Sequence, residues 1–166
     1  MHISKLKNLV PQKDASKFKK VGDIILDKSK ASGYSYIKTN NWDSKHCGWV
    51  YILAENNRII KIGMTNATLN SRFSSYQAGT QKARDKGTCS VTNYNCSEHF
   101  RKNLRTGSKI SIFAYPVEEI EAERSIFGKR RSFLLKSAAT YESALLELYS
   151  EHNSGNYPLL CNNTSI

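Results

Sequence analysis

The strongest apolar pattern in the chain lies in two adjoining runs, Trp49-Val50-Tyr51-Ile52-Leu53-Ala54 and Arg58-Ile59-Ile60-Lys61-Ile62-Gly63, separated by Glu55-Asn56-Asn57. β-Branched and aromatic residues joined by asparagines, which tolerate positive φ, spell a β-hairpin. Register decides what the hairpin presents, because a slip of one residue sends each side chain to the other face. A three-residue loop, Glu55 to Asn57, sets Tyr51 opposite Lys61. A two-residue loop sets Tyr51 opposite Ile62 and turns Lys61 away. The three-residue loop is the expectation adopted. Downstream, Leu69, Arg72, Phe73 and Tyr76 recur at helical spacing within 65–76, and residues 109–115 form a further strand stopped by Pro116.

Residues 140–151 form a final helix, followed by an extended tail through Pro158 and Asn163. Before the hairpin, Val21-Gly22-Asp23-Ile24-Ile25-Leu26 is the one strong apolar anchor in a lysine-rich stretch, and Tyr34-Ser35-Tyr36-Ile37 is strand-like. Residues 79–95 read as a long polar loop, His99 to Leu104 as a short helix ending at Gly107, and 118–124 as ambiguous. The segment 126–135 carries Lys129, Arg130 and Arg131 without an acid.

Charge adds a partner to this outline. The chain has 166 residues, 25 Lys plus Arg against 14 Asp plus Glu, and a net charge of +11. That length favours one domain, and 39% hydrophobic residues exceed what a disordered chain carries. No apolar run approaches the ~20 residues of a membrane span, and the opening residues lack a secretory segment, so a cytoplasmic protein is expected. The four irregularly spaced cysteines are expected to be free thiols. The positive excess points to a polyanion.

Two helices carry charge on faces that should be buried. Residues about 100° apart put Glu142 with Leu145, Leu146 and Tyr149, whereas Glu147 and Glu151 fall opposite. A carboxylate in an apolar stripe requires a cation, a metal or hydrogen bonds, although near a Thr140 cap it also complements the helix dipole. Arg72 sits in the stripe of Leu69, Phe73 and Tyr76, where its planar fork suits a phosphate, a pairing with Glu142, or a snorkelling position. Cys89, Cys96 and His99 lack the paired spacing of a zinc site. His46-Cys47 as a nucleophile pair is disfavoured by the alternation of a strand, and His152 suits a helix C-terminus. No glycine-rich phosphate loop is present.

Taken together, these positions resemble the GIY-YIG nuclease superfamily. Trp49-Val50-Tyr51-Ile52-Leu53 matches its first motif and Lys61-Ile62-Gly63-Met64-Thr65 its second. Arg72 follows in Leu69-Asn70-Ser71-Arg72-Phe73, and Glu142 in Tyr141-Glu142-Ser143-Ala144-Leu145-Leu146. The resemblance implies an α+β fold, a small three-stranded antiparallel sheet flanked by helices. Residues 1–47 would form a basic N-terminal, DNA-contacting arm and 48–166 the catalytic domain, with a polar insertion at about 79–108. It further implies metal-dependent cleavage of double-stranded DNA, with Tyr51 activating water, Arg72 binding the scissile phosphate and Glu142 holding one Mg2+ or Mn2+ ion.

Lys61 stands where the second motif normally has tyrosine, Tyr76 where histidine is frequent, and Trp49 where the first motif has glycine. Tyrosine, lysine and glutamate at these places look like the restriction-endonuclease branch. A lysine beside a phenol would favour phenolate. Tyr76, Thr65 and Asn162 are the expected positioning residues. Lys82, Arg84, Lys86, Arg101, Lys102, Lys129, Arg130 and Arg131 are the expected DNA contacts. Cutting both strands of a symmetric site calls for a homodimer, and a restriction role calls for a companion methyltransferase.

Overall fold

The computed structural model describes residues 1–161. Five strands form one antiparallel sheet: β1 Lys19–Leu26, β2 Tyr34–Lys38, β3 Trp49–Glu55, β4 Arg58–Thr65 and β5 Ile110–Pro116. Their order is β2-β1-β5-β3-β4. The expected three-stranded sheet, β3, β4 and β5, is therefore the inner part of a larger one. The correction comes from the stretch expected to be an arm. Val21 and Ile24 of β1 and Tyr34 of β2 are buried, and β1 pairs along β5. Its lysines belong to the sheet's exposed positions and turns rather than to a separate tail. Leu6 and Leu9, in the 3-10 turn Ile3–Asn8 and just after it, are buried as well.

The β3–β4 hairpin closes with two residues, not three. Asn56 and Asn57 both adopt positive φ, 45° and 66°, and Glu55 pairs with Arg58. A plain two-residue hairpin would set Lys61 on the face opposite Tyr51. A bulge between Leu53 and Ala54 in the register adds Ile60 as an unpaired residue, so Leu53 faces Lys61 and Tyr51 faces Gly63. Turn and bulge together consume the same parity as the expected loop. Lys61 thus shares a face with Tyr51, although Leu53 rather than Tyr51 is its partner.

Helices cover both faces of the sheet. On one side lie α2 Leu69–Gln77 and α4 Val91–Arg105, burying Leu69, Phe73, Tyr76, Cys96, Phe100 and Leu104 against Tyr51, Leu53 and Ile112. On the other lies α5 Ala138–Glu151, whose Leu145 and Tyr149 pack on Val50, Ile52 and Ile62. Two short helices, α1 Gln12–Ala15 and α3 Gln81–Asp85, complete the set.

The region expected to be a polar insertion holds a core helix. Cys96, Phe100 and Leu104 recur every fourth residue, and the Ser90 side chain caps α4 by accepting from the Asn93 N–H. The α5 cap position is Ser137 rather than Thr140, and the Ser137 hydroxyl donates to the Glu118 carbonyl. The ambiguous segment and the basic run after it pair as a separate hairpin, β6 Ile120–Ile126 with β7 Lys129–Leu135. Among the described residues no helix is long and apolar enough to cross a membrane.

Candidate active site

The site gathers at the β4 edge of the sheet, where the helices of both faces come within reach of one another. A pocket of about 240 Å3 is lined there by Lys61, Arg72, Glu142, Leu146 and Leu160, among others. Three of the four residues selected from sequence therefore meet in one hollow. Tyr51 lies directly behind Arg72, fully buried.

Arg72 is the organiser. Its Nε donates to the Tyr51 hydroxyl at 2.8 Å, one terminal nitrogen donates to the Tyr76 hydroxyl at 2.9 Å, and the other to Asn93 Oδ1 at 3.4 Å. The guanidinium also lies 4.5 Å from the Tyr76 ring centroid. Three of its five N–H groups are thereby engaged and two remain for a ligand. Burial works to lower its pKa, but the two phenol oxygens outweigh that and raise it, so Arg72 is permanently charged. None of the salt bridges among the described residues involves Arg72 or Glu142. The pairing of these two, open in the sequence, is not made, and the carboxylate stays available to the pocket.

Tyr51 stands on β3 with its ring laid across Gly63. A Cβ at Gly63 would come 2.5 Å from the Tyr51 hydroxyl oxygen. The second motif thus needs glycine to make room for the tyrosine of the first. Tyr51 and Tyr76 hydroxyls are 2.6 Å apart. Burial pushes the Tyr51 pKa up, against the downward pull of Arg72 and Lys61. Lys61 thus acts in the direction expected, toward phenolate, but desolvation is the larger effect. Tyr76 is pushed well above its ordinary value, again by burial. Arg72 Nε donates to the Tyr51 oxygen, and the Tyr76 hydroxyl is placed to donate to it as well once that oxygen is ionised.

Lys61 is only 5% exposed, and its Nζ donates to the Leu160 carbonyl oxygen at 3.0 Å. Leu160 belongs to the 3-10 turn Leu159–Cys161 packed along β4. The Cys161 thiol accepts from the Ile62 N–H at 3.3 Å and donates to the Ile62 carbonyl at 3.2 Å. Burial pushes the thiols of Cys96 and Cys161 up, as suits unreactive cysteines, and all four cysteines are free. Glu142 is half-buried beside Leu146. Burial raises its pKa above the ordinary 4.5, with Lys61, Arg72 and the Met64 backbone acting the other way. Glu147 and Glu151 are exposed, as the helix face required.

The remaining selected positions lie elsewhere. Thr65 forms a local turn, accepting from the Ala67 N–H. Asn162 lies outside the described residues. Lys82, Arg84, Lys86 and Lys102 are exposed, whereas Arg101 is held by Glu98 and the Gly79 carbonyl. Lys129, Arg130 and Arg131 are exposed on β7. Cys89, Cys96 and His99 form no metal cluster, and the described residues contain no group of three or more His, Cys, Asp or Glu suited to a metal. Two contributors escaped sequence reasoning. Asn93 was hidden because residues 79–95 read as loop; the Ser90-x-x-Asn93 cap was its available signal. The Leu160 carbonyl carries no side-chain signature at all.

A single half-buried carboxylate without an ion-pair partner suits a weak divalent-cation site, completed by phosphate oxygens and waters. The donor set therefore fits one magnesium ion better than zinc, which favours nitrogen and sulfur ligands.

No protein-family model and no curated protein matches the chain. Solved structures that share its architecture include two nucleases. Restriction endonuclease HPY188I in complex with product DNA superposes with a TM-score of 0.57 at 23% identity, covering 98% of this chain and 92% of that one. A mutant of bacteriophage T4 EndoII superposes with a TM-score of 0.63 at 17% identity, covering 90% and 96%. The chain has the fold of these nucleases over nearly its whole length.

Proposed function

We propose that this protein is a divalent-metal-dependent endonuclease of GIY-YIG type that hydrolyses phosphodiester bonds of double-stranded DNA. The observation that carries the reading is the pocket itself: an unpaired inward carboxylate, a buried lysine and an arginine with free donors, backed by a phenol. Hydrolysis needs water to lose a proton as its oxygen bonds to phosphorus, neutralisation of the nonbridging oxygens, and stabilisation of the departing sugar oxygen. The two spare N–H groups of Arg72 bind the scissile phosphate. Lys61 adds a second positive charge beside it. Tyr51, buried behind Arg72, would accept the proton of the attacking water after losing its own proton to solvent and after Arg72 shifts toward the phosphate to let that water reach its oxygen. Glu142 would hold one Mg2+ or Mn2+ ion, which would supply withdrawal of charge from the phosphate and the leaving group.

The biological setting proposed is type II restriction: cleavage at a short specific sequence by a homodimer, with a methyltransferase as genetic companion. Lys82, Arg84, Lys86, Lys102 and the lysines around β1 would neutralise backbone phosphates. Digestion of a sequenced plasmid with magnesium tests both parts at once. Discrete fragments are expected. Non-specific nicking would favour the second reading, a phage, mobile-element or repair nuclease, to which the EndoII likeness lends weight. Binding without cutting would mark a catalytically inactive DNA-binding module.

A further inference from the structure

The β6–β7 hairpin contributes to neither core cluster. Thirteen of its fourteen strand residues are exposed, Ala122 being half-buried. Two-stranded ribbons of this kind are marginal in water without something to lie against. The pairing separates charge by face. Ile120, Ala122, Arg124 and Ile126 share a face with Leu135, Phe133, Arg131 and Lys129, whereas both carboxylates, Glu121 and Glu123, lie on the other, where Glu123 meets Arg130 at 3.7 Å. The first face is apolar at its base, basic toward its tip, and free of acids.

Two features of that tip are unfavourable to the protein alone. Arg124 is the direct cross-strand partner of Arg131, and like charges so placed repel. The turn residue Phe127 adopts φ 51°, a conformation bulky side chains avoid, and its ring is wholly exposed. An anion between the arginines would relieve the first cost, and a flat apolar surface against the ring would offset the second.

We propose that this hairpin is a DNA-gripping arm, whose Arg124–Lys129–Arg131 face follows the phosphates of a duplex groove while Phe127 stacks against the bases at its tip. The assignment rests on the nuclease reading of the pocket. Seven residues of strand reach roughly 23 Å, and a two-stranded ribbon fits the major groove. Apolar side chains that wedge into base steps are an established means of deforming DNA. A second copy of this chain is the poorer partner, because a symmetric contact of the basic faces would bring like charges together.

The test uses the full-length protein and a fluorescein-labelled 30-base-pair duplex, with calcium replacing magnesium. Phe127→Trp adds an exposed tryptophan to the buried Trp42 and Trp49. Its emission is expected to fall about twofold as the duplex saturates, and Phe127→Ala to weaken binding by about tenfold. Replacing Arg124, Lys129 and Arg131 by alanine is expected to flatten the log–log salt slope by about 2.7, at 0.9 per phosphate contact, without lowering the melting temperature. Unchanged tryptophan emission, affinity and slope in variants of a protein that still binds and cuts DNA would overturn the arm while leaving the nuclease intact. A wild-type protein that neither binds the duplex nor cuts plasmid would overturn the nuclease reading and the arm with it. Sedimentation that shifts from dimer to monomer in the variants, with unaltered duplex binding, would overturn the arm in favour of an assembly role.

Discussion

Burial shifts the pKa values of both Tyr51 and Glu142 upward, away from the ionised forms that catalysis needs. Burial favours neutral phenol and neutral carboxyl. For Tyr51 as base, the active form grows with pH, so the single-turnover rate should climb across the neutral range and still be rising at about pH 9. A plateau near neutrality, or substantial cutting by Tyr51→Phe, would remove the tyrosine from that role. For Glu142 the sign for stability follows from linkage. The folded state binds its proton more tightly than the unfolded state, so its contribution to stability declines as pH rises from 4.5 through the raised folded value. Glu142→Gln, which cannot ionise, should therefore gain in melting temperature relative to wild type over that rise. The same substitution should slow cleavage by roughly a few hundredfold, about 3 to 4 kcal/mol, while gel shifts with duplex DNA stay near normal. Glu147→Gln should leave both unchanged. Glu142 and Arg72 were legible in the sequence because helical periodicity aims a side chain with few alternatives. The effect of desolvation on Tyr51 was not, because it depends on Tyr76 and Phe73 closing over the ring.

At the level of elements, the hairpin shows how a correct facing can rest on an incorrect loop. Asparagine spacing identified the turn, but both Asn56 and Asn57 take positive φ, which leaves Glu55 in the strand. The bulge at Ile60 has no sequence signature of its own; it survives because Ile59 and Ile60 pack into opposite clusters. Gly63 ties the two strands to chemistry. Gly63→Ala should displace the Tyr51 ring and break its contacts with Arg72 and Tyr76. The expected result is at least a hundredfold loss of cleavage with about 1 to 3 kcal/mol of destabilisation, as for an overpacked core. Thermal melts and timed digestion would measure the two together; wild-type cutting by this variant would mean that the Tyr51 position is not critical. Of α4 only the stretch from His99 to Leu104 was legible as helix, because just five of its fifteen residues are apolar. It becomes a helix through Cys96, Phe100 and Leu104 finding the sheet.

For the whole molecule, a charge of +11 was legible at once as a polyanion partner, but its distribution awaited the fold. Lysines expected on a detachable arm sit instead on a strand and its flanks, so truncating residues 1–20 would strip Leu6 and Leu9 from the core. Binding should nevertheless weaken steeply with salt, by about 0.9 log units per log unit of salt for each phosphate neutralised. Replacing Lys28 and Lys30 with alanine should flatten that slope without unfolding the protein. An unchanged slope by fluorescence anisotropy would assign those lysines to ordinary solvated surface. The Cys161 thiol carries a different consequence for the molecule as a whole. β4 ends the sheet, and an open strand edge is a template on which another chain can add and propagate an aggregate. By engaging both the N–H and the carbonyl of Ile62, one sulfur atom occupies two of the groups that such an incoming strand would seek. The side chain that helps seat the Lys61 anchor thereby also closes the middle of that edge to strand addition.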